Sequence, residues 1–127
     1  LSTLFDSTIL IAHLRGDGRA TDLLLDAAGE GALASVISRA EIEGGGMRSG
    51  ERRDVSRLFD GLRLLPVTDA VARRAGHHLR RFRRSHPGID LADYLIAATA
   101  EEEGAGLATL NVKHFPMLKG LRPPWSG

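Results

Sequence analysis

Short apolar runs alternate along this chain with longer stretches in which apolar residues recur every three or four positions. The runs 2–5 (STLF), 32–37 (ALASVI), 62–67 (LRLLPV), 106–110 (GLATL) and, more weakly, 121–123 (LRP) read as buried strands. Helical patterns occupy 8–15, 19–28, 39–48, 51–60, 69–85 and 91–103. This alternation predicts an α/β domain whose mainly parallel sheet is covered by helices on both faces. In the 69–85 helix, Val71, Ala75, Leu79 and Phe82 form one stripe, so only that face is core. Gly44, Gly45 and Gly46 should break the third helix after Glu43, each costing about 1 kcal/mol relative to alanine. The tail GLRPPWSG cannot be helical through its prolines, and Trp125 is expected to cover an edge of the fold.

One stretch breaks the pattern. PGIDLADYLIAATA, residues 87–100, is apolar nearly all round the helix, which predicts burial on most sides, yet it carries Asp90 and Asp93. These carboxylates lie three residues apart, as helix neighbours, and repel each other. Asp93 also shares its face with Ile96, Ala97 and Ala100, where an unpaired charge is very costly.

Composition narrows the chemistry. The 127 residues fit one domain, 1–127, and include no cysteine, which excludes disulfides and thiolate catalysis. No apolar run approaches the roughly 20 residues of a membrane-spanning helix, and the N-terminus lacks a secretion-signal pattern. The expectation is a cytoplasmic protein with no membrane partner. The net charge of +1 conceals a basic segment of Arg73, Arg74, Arg80, Arg81, Arg83 and Arg84 with His77 and His78. Such a run is either a solvated helix face or a track for phosphates. The isolated His13, His86 and His114 and the adjacent pair at 77–78 have no metal-binding spacing and are expected at the surface. There is no P-loop, no G-x-G-x-x-G and no G-x-S-x-G elbow.

The acidic residues fall at telling places. Asp6 follows the first strand, Glu41 the second, Asp93 lies in the first turn of the last long helix, and Asn111 follows the fourth strand. Each also has a local explanation. Ser38 with Glu41 matches a capping box, Asp90 with Asp93 matches another, Asn111 could cap a short helix, and Asp6 could cap the first helix in competition with Ser7 and Thr8. In a parallel sheet, however, residues just beyond strand ends emerge along one rim, where such folds bind ligands. Three carboxylates and an amide meeting there would repel unless a cation neutralised them, and an all-oxygen set suits Mg²⁺ or Mn²⁺. Such an ion would hold Asp93 ionised and serve phosphodiester hydrolysis without a nucleophilic side chain.

The series LFDSTILIAHL, SVISRAEIEGG, DLADYLIAATA and LATLNVKHF, in this order from Leu4 to Phe115, resembles the PIN-domain ribonucleases and most closely the VapC-type toxins of bacterial toxin–antitoxin pairs. The resemblance implies a three-layer α/β/α domain with a five-stranded sheet in the order 3-2-1-4-5. It also implies Mg²⁺- or Mn²⁺-dependent endonucleolytic cleavage of RNA, commonly transfer or ribosomal RNA, a homodimer, and inhibition by a VapB-type antitoxin. Carried over by position, Asp6, Glu41 and Asp93 match the family's three acids, and Asn111 takes a fourth place that is often aspartate. Asp6 and Asp93 would bind the ion, with Ser7 and Asp90 in support and Arg73, Arg74, Arg80, Arg81 and Arg84 on the RNA. The pair Ala40–Glu41 favours Glu41 over Glu43. The neutral Asn111 keeps a second reading open, a catalytically weak module that binds RNA or protein. A receiver-like phosphoacceptor domain fits less well, because its acids would be paired after the first strand rather than spread out.

Overall fold

The computed structural model describes residues 1–45 and 50–125. In chain order the elements are β1 (Thr3–Phe5), α1 (Ser7–Leu14), α2 (Gly18–Ala27), β2 (Ala32–Ser35), α3 (Val36–Glu43), α4 (Glu51–Asp60), β3 (Arg63–Leu65), α5 (Asp69–Phe82), α6 (Leu91–Glu103) and β4 (Gly106–Ala108), followed by a 3-10 turn, Val112–His114. All the strand pairings are parallel, in the order β3-β2-β1-β4, with Thr3 opposite both Ala32 and Gly106.

The β1 strand sends successive side chains to opposite layers, as a period of two requires. Phe5 packs with Ala34 and Ala108 against Ile9 and Leu10 of α1 and Val55, Leu58 and Phe59 of α4. Leu4 packs on the other face with Leu33, Leu65, Ile96, Ala97, Ala100 and Phe115. A third cluster, Val71, Ala75, Ile89, Tyr94 and Ala98, joins α5 to α6, with Leu79 and Phe82 packed against it, so the expected stripe is the buried one. From β1 the chain proceeds to β2 on one side, while β4 lies on the other. The strand order therefore reverses between β1 and β4, which opens a crevice at their carboxyl ends.

The sheet departs from expectation in its strand number and in where strands end, the runs 62–67 and 106–110 shortening to Arg63–Leu65 and Gly106–Ala108. Among the described residues the five-stranded order 3-2-1-4-5 is replaced by four strands, since residues 121–123 form no strand. Pro123 and Pro124 have no N–H to give a ladder. Trp125 instead packs against the α1–α2 side of the core with the Arg19 guanidinium 4.6 Å from its ring centre. The second strand also stops at Ser35 rather than residue 37, because the Ser35 side chain accepts from Ile37 N at 3.0 Å and starts α3. As the glycines predict, α3 ends at Glu43; the rest of the expected helix to residue 48 runs into 46–49, outside the described residues.

Candidate active site

Asp6 stands directly beyond β1, at the crevice. It wins the competition with Ser7 and Thr8 to cap α1: its Oδ1 accepts from Thr8 N at 3.0 Å and from the Thr8 hydroxyl. Its Oδ2 accepts from the hydroxyl of Thr109, a wholly buried residue just past β4, and its own N–H donates to Ala108 O at 3.1 Å. Only 4% of Asp6 is exposed, and burial pushes its carboxyl above the usual range although these donors pull the other way.

The capping box expected from Ser38 and Glu41 does not form, because the cap of α3 is Ser35, three residues earlier. Ser38 is buried inside the helix, and its hydroxyl has no hydrogen-bond partner among the described residues. Glu41 is thereby free for another contact, and its Oε1 accepts from Ser7 Oγ at 2.6 Å. That bond ties the second acid to the residue beside the first.

The box at α6 does form. Asp93 N donates to Asp90 Oδ1 at 3.1 Å, and Asp90 N donates to Asp93 Oδ2 at 3.4 Å. The same Asp93 oxygen lies 3.2 Å from His114 Nδ1. Burial first, and then the neighbouring Asp90 charge, push the Asp93 carboxyl up to about 6, while His114 draws it down. Asn111 makes no side-chain capping bond to the 3-10 turn, contrary to the local expectation. Its backbone is fixed instead, with its N–H on Thr109 Oγ1 and its carbonyl accepting from His114 N, both at 2.9 Å.

Along the rim, Glu41 bonds Ser7, whose chain neighbour Asp6 is linked across Thr109 to the Asn111 backbone and on through His114 to Asp93. No hydrogen bond joins Asp6 to Asp93 directly, and among the described residues no three His, Cys, Asp or Glu side chains stand close enough to cage a metal ion. Sequence reasoning missed Thr8, Thr109 and His114. The signal for Thr109 was its position, a hydroxyl directly beyond an apolar strand at the same rim as Asp6. Of the histidines expected at the surface, His78 is 12% exposed and bonded to Glu101, while the half-buried His114 meets Asp93 and the half-buried His13 has its Nδ1 2.7 Å from Thr21 Oγ1.

The basic segment divides in two. Arg74 Nη2 lies 2.6 Å from Glu102 and its Nη1 3.7 Å from Glu101, so α6 already engages it. Arg73 sits 3.7 Å from Asp69. Arg80, Arg81, Arg83 and Arg84 are exposed and make no ion pair among the described residues, although Arg81 lies over the Phe82 ring. Because α5 and α6 pack antiparallel around the 83–90 connection, this free half lies toward the N-terminal end of α6 that carries Asp90 and Asp93.

A crevice at a strand-order reversal, rimmed by acids from separate segments, defines a small α/β domain with an acidic cleft at the sheet's switch point. The PIN domain family model matches residues 3–117, and the chain belongs to the PIN-domain family. It is 56% identical over 124 residues to Ribonuclease VapC10 of Mycobacterium tuberculosis (strain ATCC 25618 / H37Rv), covering 97% of this chain and 92% of that protein. It is 44% identical to Ribonuclease VapC19 of the same strain, covering 96% and 98%. Among solved structures, a toxin-antitoxin complex from Klebsiella pneumoniae shares the fold at a TM-score of 0.80 with 23% identity, covering 98% of each chain. VapBC2 from Rickettsia felis, bound to a DNA fragment from its promoter, shares it at 0.79 with 20% identity, covering 95% and 96%.

Proposed function

We propose that this chain is a divalent-metal-dependent endoribonuclease toxin that hydrolyses RNA phosphodiester bonds and is neutralised by a VapB-type antitoxin. The observation that carries the reading is the 56% identity to a VapC ribonuclease along nearly the whole chain, joined to an acid-lined rim at the sheet's switch point. The donor set fits Mg²⁺ or Mn²⁺, since Asp6, Glu41, Asp93 and Asn111 offer carboxylate and amide oxygens and the His114 ring nitrogen is turned to Asp93. The lack of a three-acid cage among the described residues is compatible with Mg²⁺, which usually keeps several waters and binds through one or two carboxylates.

Asp6 and Asp93 would hold the ion, which when bound polarises a phosphoryl oxygen and lowers the pKa of the attacking water. Glu41, held by Ser7, orients that water. Asn111, on a backbone fixed at both its N–H and its carbonyl, presents its amide to water or phosphate. Asp90 fixes the Asp93 rotamer through the capping box. On the RNA side, Arg80, Arg81 and Arg84 face the phosphates, while Arg73 and Arg74, also candidates by sequence, are engaged by Asp69, Glu101 and Glu102. The substrate would be a structured RNA of the transfer or ribosomal class. An antitoxin side chain of positive charge, an arginine, would quench the acids in place of metal.

Total RNA incubated with the protein and Mn²⁺ or Mg²⁺ tests this. Discrete cleavage that EDTA and Asp93→Asn each abolish is the expected result. Undiminished cutting without metal, or by the variant, overturns it. The neutral Asn111 favours one second reading, a module that binds RNA without cutting it. That reading wins if steeply salt-dependent RNA binding is found with no cleavage at all.

A further inference from the structure

Four hydrogen bonds around Asp6 form a closed arrangement. Thr8 Oγ1 lies on Asp6 Oδ1 and also accepts the backbone N–H of Leu110 at 2.9 Å. Thr109 Oγ1 lies on Asp6 Oδ2 and also accepts the N–H of Asn111 at 2.9 Å. A hydroxyl has a single proton to give. With an amide hydrogen arriving at each oxygen, each threonine proton is left for the carboxylate, one per oxygen. The two threonines come from opposite sides of the crevice, Thr8 from the first turn of α1 and Thr109 from the end of β4.

From this geometry we infer that Thr8 and Thr109 are positioning residues that lock the plane of the Asp6 carboxylate and register the 110–111 loop, with Asn111, to it. The inference rests on the metal-dependent reading of the same site. Neither hydroxyl is offered to substrate: Thr109 is fully buried, and both protons are committed to Asp6. Their effect is exerted through Asp6 and Asn111, whose side chains face the reaction. Serine keeps the donor and acceptor at either position. Valine, of nearly the same shape, removes both: at 109 it takes from Asp6 Oδ2 and the Asn111 N–H these partners, and at 8 it takes one from the Leu110 N–H while Asp6 Oδ1 keeps the backbone N–H of residue 8.

The test compares the full-length parent protein with Thr109→Val, Thr109→Ser and Thr8→Val. Mn²⁺ affinity is measured by calorimetry, amide exchange is followed at Leu110 and Asn111, and RNA cleavage is resolved into kcat and KM. Partners that orient a metal ligand typically contribute about 10–100-fold to metal affinity or activity. Thr109→Val should therefore bind Mn²⁺ about 10–100-fold more weakly and lose kcat by a similar factor, with KM for RNA nearly unchanged. Exchange at Asn111 should quicken, and Thr109→Ser should restore all three readouts. Thr8→Val should act in the same direction, with the faster exchange at Leu110.

A folded Thr109→Val protein that binds Mn²⁺ and turns over like the parent overturns the clamp alone. If Thr109→Val does not fold, Thr8→Val decides by the same criteria. If neither valine variant folds, the hydroxyls are structural and the proposal fails. A parent that neither binds Mn²⁺ nor cleaves RNA brings down the nuclease reading together with the clamp.

Discussion

Asp93 sits where burial and a like charge act together on one carboxyl. Its ordinary value of 3.8 is raised to about 6 in the folded protein, so the folded state holds that proton more tightly than the unfolded chain does. The contribution to stability is fully present below pH 4 and is lost as pH rises through 6. In metal-free protein, Asp93→Asn, which has nothing to ionise, should gain stability relative to the parent between pH 4 and pH 6.5. Urea midpoints across that range measure it, and a difference that stays constant with pH would contradict the shift. The groups facing Asp93 are Asp90, which drives the shift, and His114, which opposes it. Much of this was visible in the sequence, where two aspartates three apart on an apolar helix announced both a capping box and a strained charge. His114 was not visible, because its contact with Asp93 spans 21 residues and depends on how the chain turns after β4.

At the scale of elements, α5 shows why a run of like charge is a poor guide to what each charge does. Two of the acids that end α6, Glu101 and Glu102, face the first half of the basic helix and meet Arg74 and His78 there, while Glu103 pairs with Arg63 of β3. The second half has no such neighbours among the described residues. Replacing Arg80 or Arg84 by glutamine should weaken RNA binding and flatten the salt dependence, reducing the slope of log K against log salt by about 0.7–0.9 for each phosphate no longer neutralised. Arg74→Gln should leave that slope alone and cost about 1 kcal/mol of stability or less, since its ion pairs are partly exposed. Fluorescence anisotropy over a salt series, with urea melts of the same variants, separates the two halves. An equal slope change for Arg74 would mean that RNA strips it from α6. The helix bounds themselves were legible wherever a local signal set them: 51–60 and 91–103 stand as expected. At β2 the signal was misread, because the Val36–Ile37 pair favours a strand and Ser35 overrules it as a cap.

For the molecule as a whole, β1 is the part on which everything else depends. It pairs with β2 and β4, feeds Leu4 into one layer and Phe5 into the other, and ends on Asp6. Phe5 is wholly buried, and Phe5→Ala should cost about 3–5 kcal/mol, a large share of the 5–15 kcal/mol that holds an ordinary domain together. A urea melt would show the loss, and cleavage should fall with it because Asp6 follows directly in the chain. A variant of near-parental stability would mean that the α1–α4 layer can close over the gap.

The sequence alone determined the layered α/β plan, the four segments that carry the rim, and the residues Asp6, Glu41, Asp93 and Asn111 within them. Hydrophobic period, turn residues and capping patterns act over a few neighbours, and a linear string contains such neighbours. Only the tertiary structure decided that the sheet stops at four strands, that Ser7 and not Ser38 engages Glu41, that α6 engages half of the basic helix, and that Thr8 and Thr109 close on Asp6. Apart from Thr8 on Asp6, two positions away, the contacts among these join residues tens of positions apart, and sheet register and helix rotation select them among many partners of equal local merit.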